Sequence, residues 1–100
     1  MDLEVMNGLL RPQSIAVIGA SNTEGKIGYT VVRSLIESGY EGPIYPINPK
    51  DPEIQGLKAY KSVLDVPGDI DAAAVIVPAK IVPMVAKECG EKGIKGLIII

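Results

Sequence analysis

The 100-residue chain has no histidine, no tryptophan and no phenylalanine, and it has one cysteine, Cys89. Without histidine there is no Ser-His-Asp set, no Cys-His pair and no His-rich metal site, so chemistry at neutral pH proceeds here without an imidazole. One cysteine cannot staple a fold, and the only aromatics are Tyr29, Tyr40, Tyr45 and Tyr60, so cohesion falls to aliphatic packing. A basic excess is missing too. Ten Lys and Arg stand against twelve Asp and Glu, for a net charge of -2, where a nucleic-acid binder needs cations to replace phosphate counterions. The longest apolar stretch, Ala72 to Ala79, is far short of the roughly 20 residues that span a bilayer. The amino terminus, Met1-Asp2-Leu3-Glu4, carries acids where a secretory signal carries bases. These absences predict a soluble, cytoplasmic chain with neither nucleic acid nor membrane as partner.

What is present is ordinary globular composition, 47% apolar and 22% charged, at a length that suits one small domain. Ser14-Ile15-Ala16-Val17-Ile18-Gly19 is a β-branched apolar run ending at glycine, and its unbroken hydrophobicity suits a central parallel strand. Val31, Val32, Leu35 and Ile36 recur at helical spacing until Gly39. A second strand covers Pro43 to Ile47, Asn48 to Gly56 is turn chemistry, and Leu57 to Tyr60 reads as a short edge strand. Ser62 caps a one-turn helix to Asp65. A strand from Ala72 to Val77 precedes a helix entered near Pro83 and ended by Gly93. The last strand runs from Gly96 to Ile100. This alternation predicts an α/β, Rossmann-like doubly wound parallel sheet, with the first strand central and the second and fourth on its two sides. The last strand stops without a following turn or helix, so the expectation is a single incomplete domain, residues 1–100, at the front of a longer protein.

In such a sheet, ligands bind beyond the carboxyl ends of the strands, where strand order reverses. The turn there reads Gly19-Ala20-Ser21-Asn22-Thr23-Glu24-Gly25-Lys26-Ile27-Gly28. Its glycines permit positive φ and close approach, and the following helix aims free N–H groups and a positive dipole end into the same space. Ser21, Asn22 and Thr23 add hydrogen-bonding groups, and Lys26 adds a charge. The pattern points to a phosphate or pyrophosphate site; the competing reading is a plain βα turn. The dinucleotide fingerprint Gly-x-Gly-x-x-Gly fails because Ser21 stands at its second glycine. Asn48-Pro49-Lys50 follows the second strand, where an NAD enzyme wants a carboxylate for the ribose, although a 2′-phosphate could accept the lysine. The P-loop fails as well: five residues separate Gly19 from Gly25, and Ile27 follows Lys26 in place of Ser or Thr. Lys50 reads either as a cation for a second phosphate or as a solvated loop lysine.

Leu10-Arg11-Pro12, Ser14 to Ser21, Gly39-Tyr40-Glu41-Gly42, Ile44 to Lys50, Val77-Pro78-Ala79 and Glu88 to Gly93, taken in that order, resemble one family. It is the amino-terminal CoA-binding domain of the ADP-forming acyl-CoA synthetases, which include acetate–CoA ligase and are related to the α subunit of succinyl-CoA synthetase. The resemblance runs from about Leu9 to Ile100. It implies that coenzyme A is the ligand, that Gly19, Ser21, Asn22, Thr23, Gly25 and Lys26 cradle its phosphates, and that Asn48 and Lys50 face its phosphate end. Val77, Pro78 and Ala79 would line the adenine or pantetheine path. The resemblance also implies that the phosphorylated histidine, the ADP/ATP site and its magnesium belong to other domains or a β subunit, and that this chain alone catalyses nothing. Other hosts of such a domain are a protein acetyltransferase fusion, a stand-alone CoA binder and an NAD(P)-binding oxidoreductase. Cys89 reads as a packing residue, Asp69 and Asp71 as solvated loop acids, and Tyr29 as a residue within reach of ligand or simply packed.

Overall fold

The computed structural model describes residues 12–100. The expectations drawn from Met1 to Glu4 and the Leu9 to Arg11 part of the resemblance lie outside the described residues. The order of the elements is β1 (Ile15–Ile18), α1 (Ile27–Glu37), β2 (Ile44–Ile47), β3 (Glu53–Ile54), β4 (Leu57–Lys58), β5 (Ala72–Val75), α2 (Val82–Lys92) and β6 (Gly96–Ile99). Short 3₁₀ turns occupy Val63–Asp65 and Ala79–Ile81.

The main sheet is parallel, in the order β2-β1-β5-β6. Ile15 pairs with Ile44 on one side and Ala72 on the other, and Ala72 pairs with Gly96. β1 is therefore flanked by β2 and by β5, the strand expected from Ala72, as right-handed crossovers require. All four residues of β1 and of β5 are buried, which explains why neither alternates in polarity. Side chains on the two faces build two cores. Ile15, Val17 and Ala74 pack with Val31, Val32 and Leu35 of α1; Ala16, Ile18, Ala73 and Val75 pack with Val85 and Cys89 of α2. The helices thus cover opposite faces, and the order in which strands are laid down reverses between β1 and β5. Alanines fill three of four positions in β5, all of them buried.

Local signals account for most boundaries. Ser62 Oγ accepts from the Leu64 amide at 3.1 Å, as a serine cap should. Pro83 lies in the first turn of α2, and Gly93 ends the helix at φ 83°, with its amide bonding back to Gly90. The segment Asn48 to Tyr60 departs from expectation. Inside the supposed turn lies β3, and β3 and β4 form a two-residue antiparallel hairpin. Gln55 and Gly56 sit at its tip with φ 50° and 84°, the double positive φ of a type I′ turn. Leu57 to Tyr60 is therefore not an edge strand of the main sheet; only Tyr60 meets it, through a single parallel bridge to Ile47. Strands of two residues are too short to show a period.

Asp71 also differs from a solvated loop acid. Its carboxylate accepts from the Gln13 amide at 2.8 Å, and its carbonyl accepts from the amides of Lys95 and Gly96. Together with Ser14 Oγ, which donates to the Asp69 carbonyl and accepts from the Asp71 amide, it ties the amino edge of the sheet. Asp69 itself is exposed.

Candidate functional site

The carboxyl edge opens where β1 and β5 part. Ile76 donates to the Ile18 carbonyl at 2.7 Å and Gly19 to the Ile47 carbonyl at 3.2 Å, tying the end of β1 to both neighbours. Gly19 has φ 98°, and a Cβ on it would lie 1.9 Å from the Ile76 carbonyl oxygen. Only glycine fits. From this point the turn climbs to α1, with Gly25 at φ 96°. Gly28 differs from the expected role of a positive-φ turn residue: a Cβ there would meet the Gly19 carbonyl oxygen at 1.9 Å. Its function is to let the first turn of α1 lie against the end of β1.

The start of α1 is unusual electrostatically. Lys26 is the N-cap residue, no side chain caps the helix, and there is no acid in its first turn. A cation at the positive end of a helix dipole is unfavourable by itself. That arrangement becomes favourable when an anion sits at this helix end. Lys26 is solvent-exposed, and so is Thr23, whose amide donates to Ser21 Oγ at 2.9 Å.

Other expected contacts are held differently. Asn22 donates through Nδ2 to the Glu53 carbonyl at 2.9 Å and to the Asp51 carboxylate at 3.4 Å, and its Oδ1 accepts from the Gln55 amide at 2.9 Å. Asn48 Nδ2 donates to the Ala20 carbonyl at 3.0 Å, while its Oδ1 accepts from the amides of Lys50 at 2.7 Å and Asp51 at 2.9 Å. Both asparagines are internal ties of the turn. Asn48 also fixes the corner that carries the exposed Lys50 beside Ala20.

Next to the turn, on the α2 face, is a cavity of about 250 Å³. It is lined by Ile18 and Gly19 at the end of β1, Ile47 at the end of β2 with Pro49 beyond it, Val77 after β5, and Ile81, Met84 and Val85 at the start of α2. Lys61 and Glu88 supply its charges. Of the expected residues, Gly19 and Val77 line this space, whereas Pro78 and Ala79 are exposed at the 3₁₀ turn that follows. The sequence reading missed Lys61, Ile81, Met84 and Glu88. One signal was available: the first turn of a helix following a parallel strand lies at the ligand edge, which places Met84 there. Met84 is 57% exposed, and so is Ile27 at the start of α1. Two large apolar side chains thus face solvent at the same edge.

Cys89 lies on the sheet-facing side of α2, 1% exposed. Burial pushes its thiol above the usual range, with Glu88 adding to the shift, so the thiol is held neutral as a packing group. Tyr29 is half-buried, and its carbonyl accepts from Gln55 Nε2 at 3.1 Å.

A four-stranded parallel sheet with helices on both faces and a crevice at its switch point defines a Rossmann-like α/β binding domain. Residues 13–100 match the CoA binding domain family, and the chain belongs to it. It is 57% identical over 89 residues to the acetate–CoA ligase (ADP-forming) of Methanocaldococcus jannaschii, covering 89% of this chain and 12% of that protein. It is 52% identical over 99 residues to the α subunit of acetate–CoA ligase (ADP-forming) I of Pyrococcus furiosus, covering 95% and 21%. The solved apo structure of a dinucleotide forming acetyl-coenzyme A synthetase 1 from Ca. Korarchaeum cryptofilum superposes with a TM-score of 0.87 at 42% identity, covering 92% of this chain and 20% of that one. The chain thus spans about an eighth to a fifth of these relatives' lengths.

Proposed function

We propose that the carboxyl edge of this sheet seats coenzyme A, as the ligand-binding part of a longer ADP-forming acyl-CoA synthetase. The carrying observation is that Gly19 belongs at once to the turn leading to an uncapped helix and to the lining of an apolar cavity. Coenzyme A has the matching duality, anionic phosphates beside a flat base and an aliphatic arm. The amides of the turn, with Lys26 and Lys50, take the phosphates. Val77, Ile81 and Met84 face the less polar part, and Pro78 and Ala79 border its path. Ser21, Thr23 and Gly25 shape the turn, and Asn22 and Asn48 hold it in place.

This chain supplies binding and orientation. Holding the coenzyme's phosphate end fixes where its thiol emerges, and the reacting groups come from other domains or a β subunit. The ADP/ATP site and its magnesium are likewise assigned to those other parts. No helix of the described residues is long and apolar enough to cross a membrane. The longer protein would convert acyl-CoA, ADP and phosphate into free acid, CoA and ATP, and the reverse. The names of the relatives support this reading.

Isothermal titration with CoA and with NADP tests it. Saturable heat with CoA and none with NADP is the expected result; the opposite pair would return the chain to the oxidoreductase reading.

A further inference from the structure

Gln55 is a non-glycine residue at positive φ, 50°, at the tip of the β3–β4 hairpin. A two-residue type I′ turn is best served by Asn or Gly at that position, because longer L side chains are disfavoured there. Its side chain leaves the hairpin and enters the space between the turn and α1. Nε2 donates to the Ser21 carbonyl at 3.3 Å and to the Tyr29 carbonyl at 3.1 Å. Those bonds join the front of the turn, two residues past Gly19, to the residue just beyond Gly28, spanning Gly25 and Gly28. Oε1 is buried and has no hydrogen-bond partner among the described residues, a further cost of placing an amide there. The Gln55 amide completes the link by donating to Asn22 Oδ1. A backbone penalty and an unpaired acceptor are thus accepted to reach two carbonyls that a shorter side chain would miss.

We propose that Gln55 is a positioning residue for coenzyme A: through Ser21 and Tyr29 it holds the turn Gly19 to Gly28 in the shape that receives the phosphates, without touching the ligand. This rests on the reading of the turn as the coenzyme's seat. If hairpin stability alone mattered, Gln55→Gly and Gln55→Asn would be neutral or stabilising, since both residues suit positive φ. As a positioning residue, either change removes both bonds from Nε2 while leaving the hairpin tip content.

The experiment measures three quantities on the full chain and its Gln55→Gly and Gln55→Asn variants: melting temperature, hydrogen exchange of the Thr23, Lys26 and Tyr29 amides, and CoA affinity. The expected result is an unchanged or higher melting temperature, exchange of those amides faster by about tenfold, and CoA binding weaker by about tenfold. Unchanged exchange in both variants overturns the clamp, whatever happens to CoA. Faster exchange with undiminished CoA affinity overturns its role in positioning. Absence of CoA binding by the unmodified chain overturns the ligand reading, and the positioning role with it, while the exchange data still decide whether the clamp exists.

Discussion

The Gly28 Cα and the Gly19 carbonyl are so close that a Cβ on Gly28 would stand 1.9 Å from that oxygen. The contact joins the first turn of α1 to the end of β1, and it sets where the helix's free amides point. It also ranks the glycines of the turn by what each one does.

Gly25→Ala meets only backbone strain, since nothing lies within 4 Å of the added Cβ, and it should cost about 1–2 kcal/mol. Gly28→Ala forces two backbone segments apart and should cost about 1–3 kcal/mol, with a loss of CoA affinity because the helix end moves. Gly19→Ala combines a φ of 98° with a 1.9 Å approach to the Ile76 carbonyl and should be the worst of the three. Urea unfolding checks the order; Gly25→Ala proving the most harmful would contradict it.

Lys26→Ala and Lys50→Ala should each weaken CoA by about 1.5–3 kcal/mol, the range for hydrogen bonds to charged groups. Dephospho-CoA separates their positions. A lysine on the 3′-phosphate loses its effect with that ligand, and one on the pyrophosphate keeps it. Unaltered affinity for both ligands would mark the lysine as solvated.

Met84→Ser tests the apolar lining. The side chain is more than half exposed, so stability should change by no more than about 0.5 kcal/mol. CoA affinity should fall severalfold in a titration, through lost apolar contact. Equal affinity would remove the cavity from the binding site.

The pH dependence of stability follows from Cys89. Burial, then Glu88, raises its thiol above the usual range, so the folded state resists ionisation more than the unfolded chain does. The stabilisation from the neutral thiol is complete below the unfolded value, about pH 8.5, and is lost as pH climbs through the folded value. Tyr40, raised by burial and then by Asp71, adds a further loss at higher pH. Urea midpoints should thus fall above about pH 8.5, and Cys89→Ala should flatten the first part of that decline. An identical slope in the variant would refute the assignment.

The main sheet was legible because its strands carry long-range information locally. Ile15 to Ile18 is apolar without interruption because both faces are buried, and Gly93 marks the end of α2 because only its φ of 83° closes the helix. The Gly-rich turn was legible as a turn for the same reason. What stayed hidden depends on partners distant in sequence. Asn22 and Asn48 looked like ligand groups, yet the bonds through Nδ2 of both and Oδ1 of Asn22 reach partners 28 to 33 residues away, in the hairpin and at Ala20; only the Asn48 Oδ1 bonds to Lys50 and Asp51 are local. Gly28 shows no positive φ, so its steric role exists only against Gly19. Lys61 lines the cavity because Tyr60 bridges Ile47, a pairing of single residues that no local pattern announces.

The most direct test of the coenzyme's seat is a map of backbone amide shifts as CoA is added to the labelled chain. Changes concentrated in Gly19 to Gly28, at Lys50 and around Val77 and Met84 are predicted, with little movement at the opposite edge, where Pro12, Asp71 and Lys95 border a separate cavity. Shifts confined to that opposite edge, or none at saturating CoA, would contradict the account.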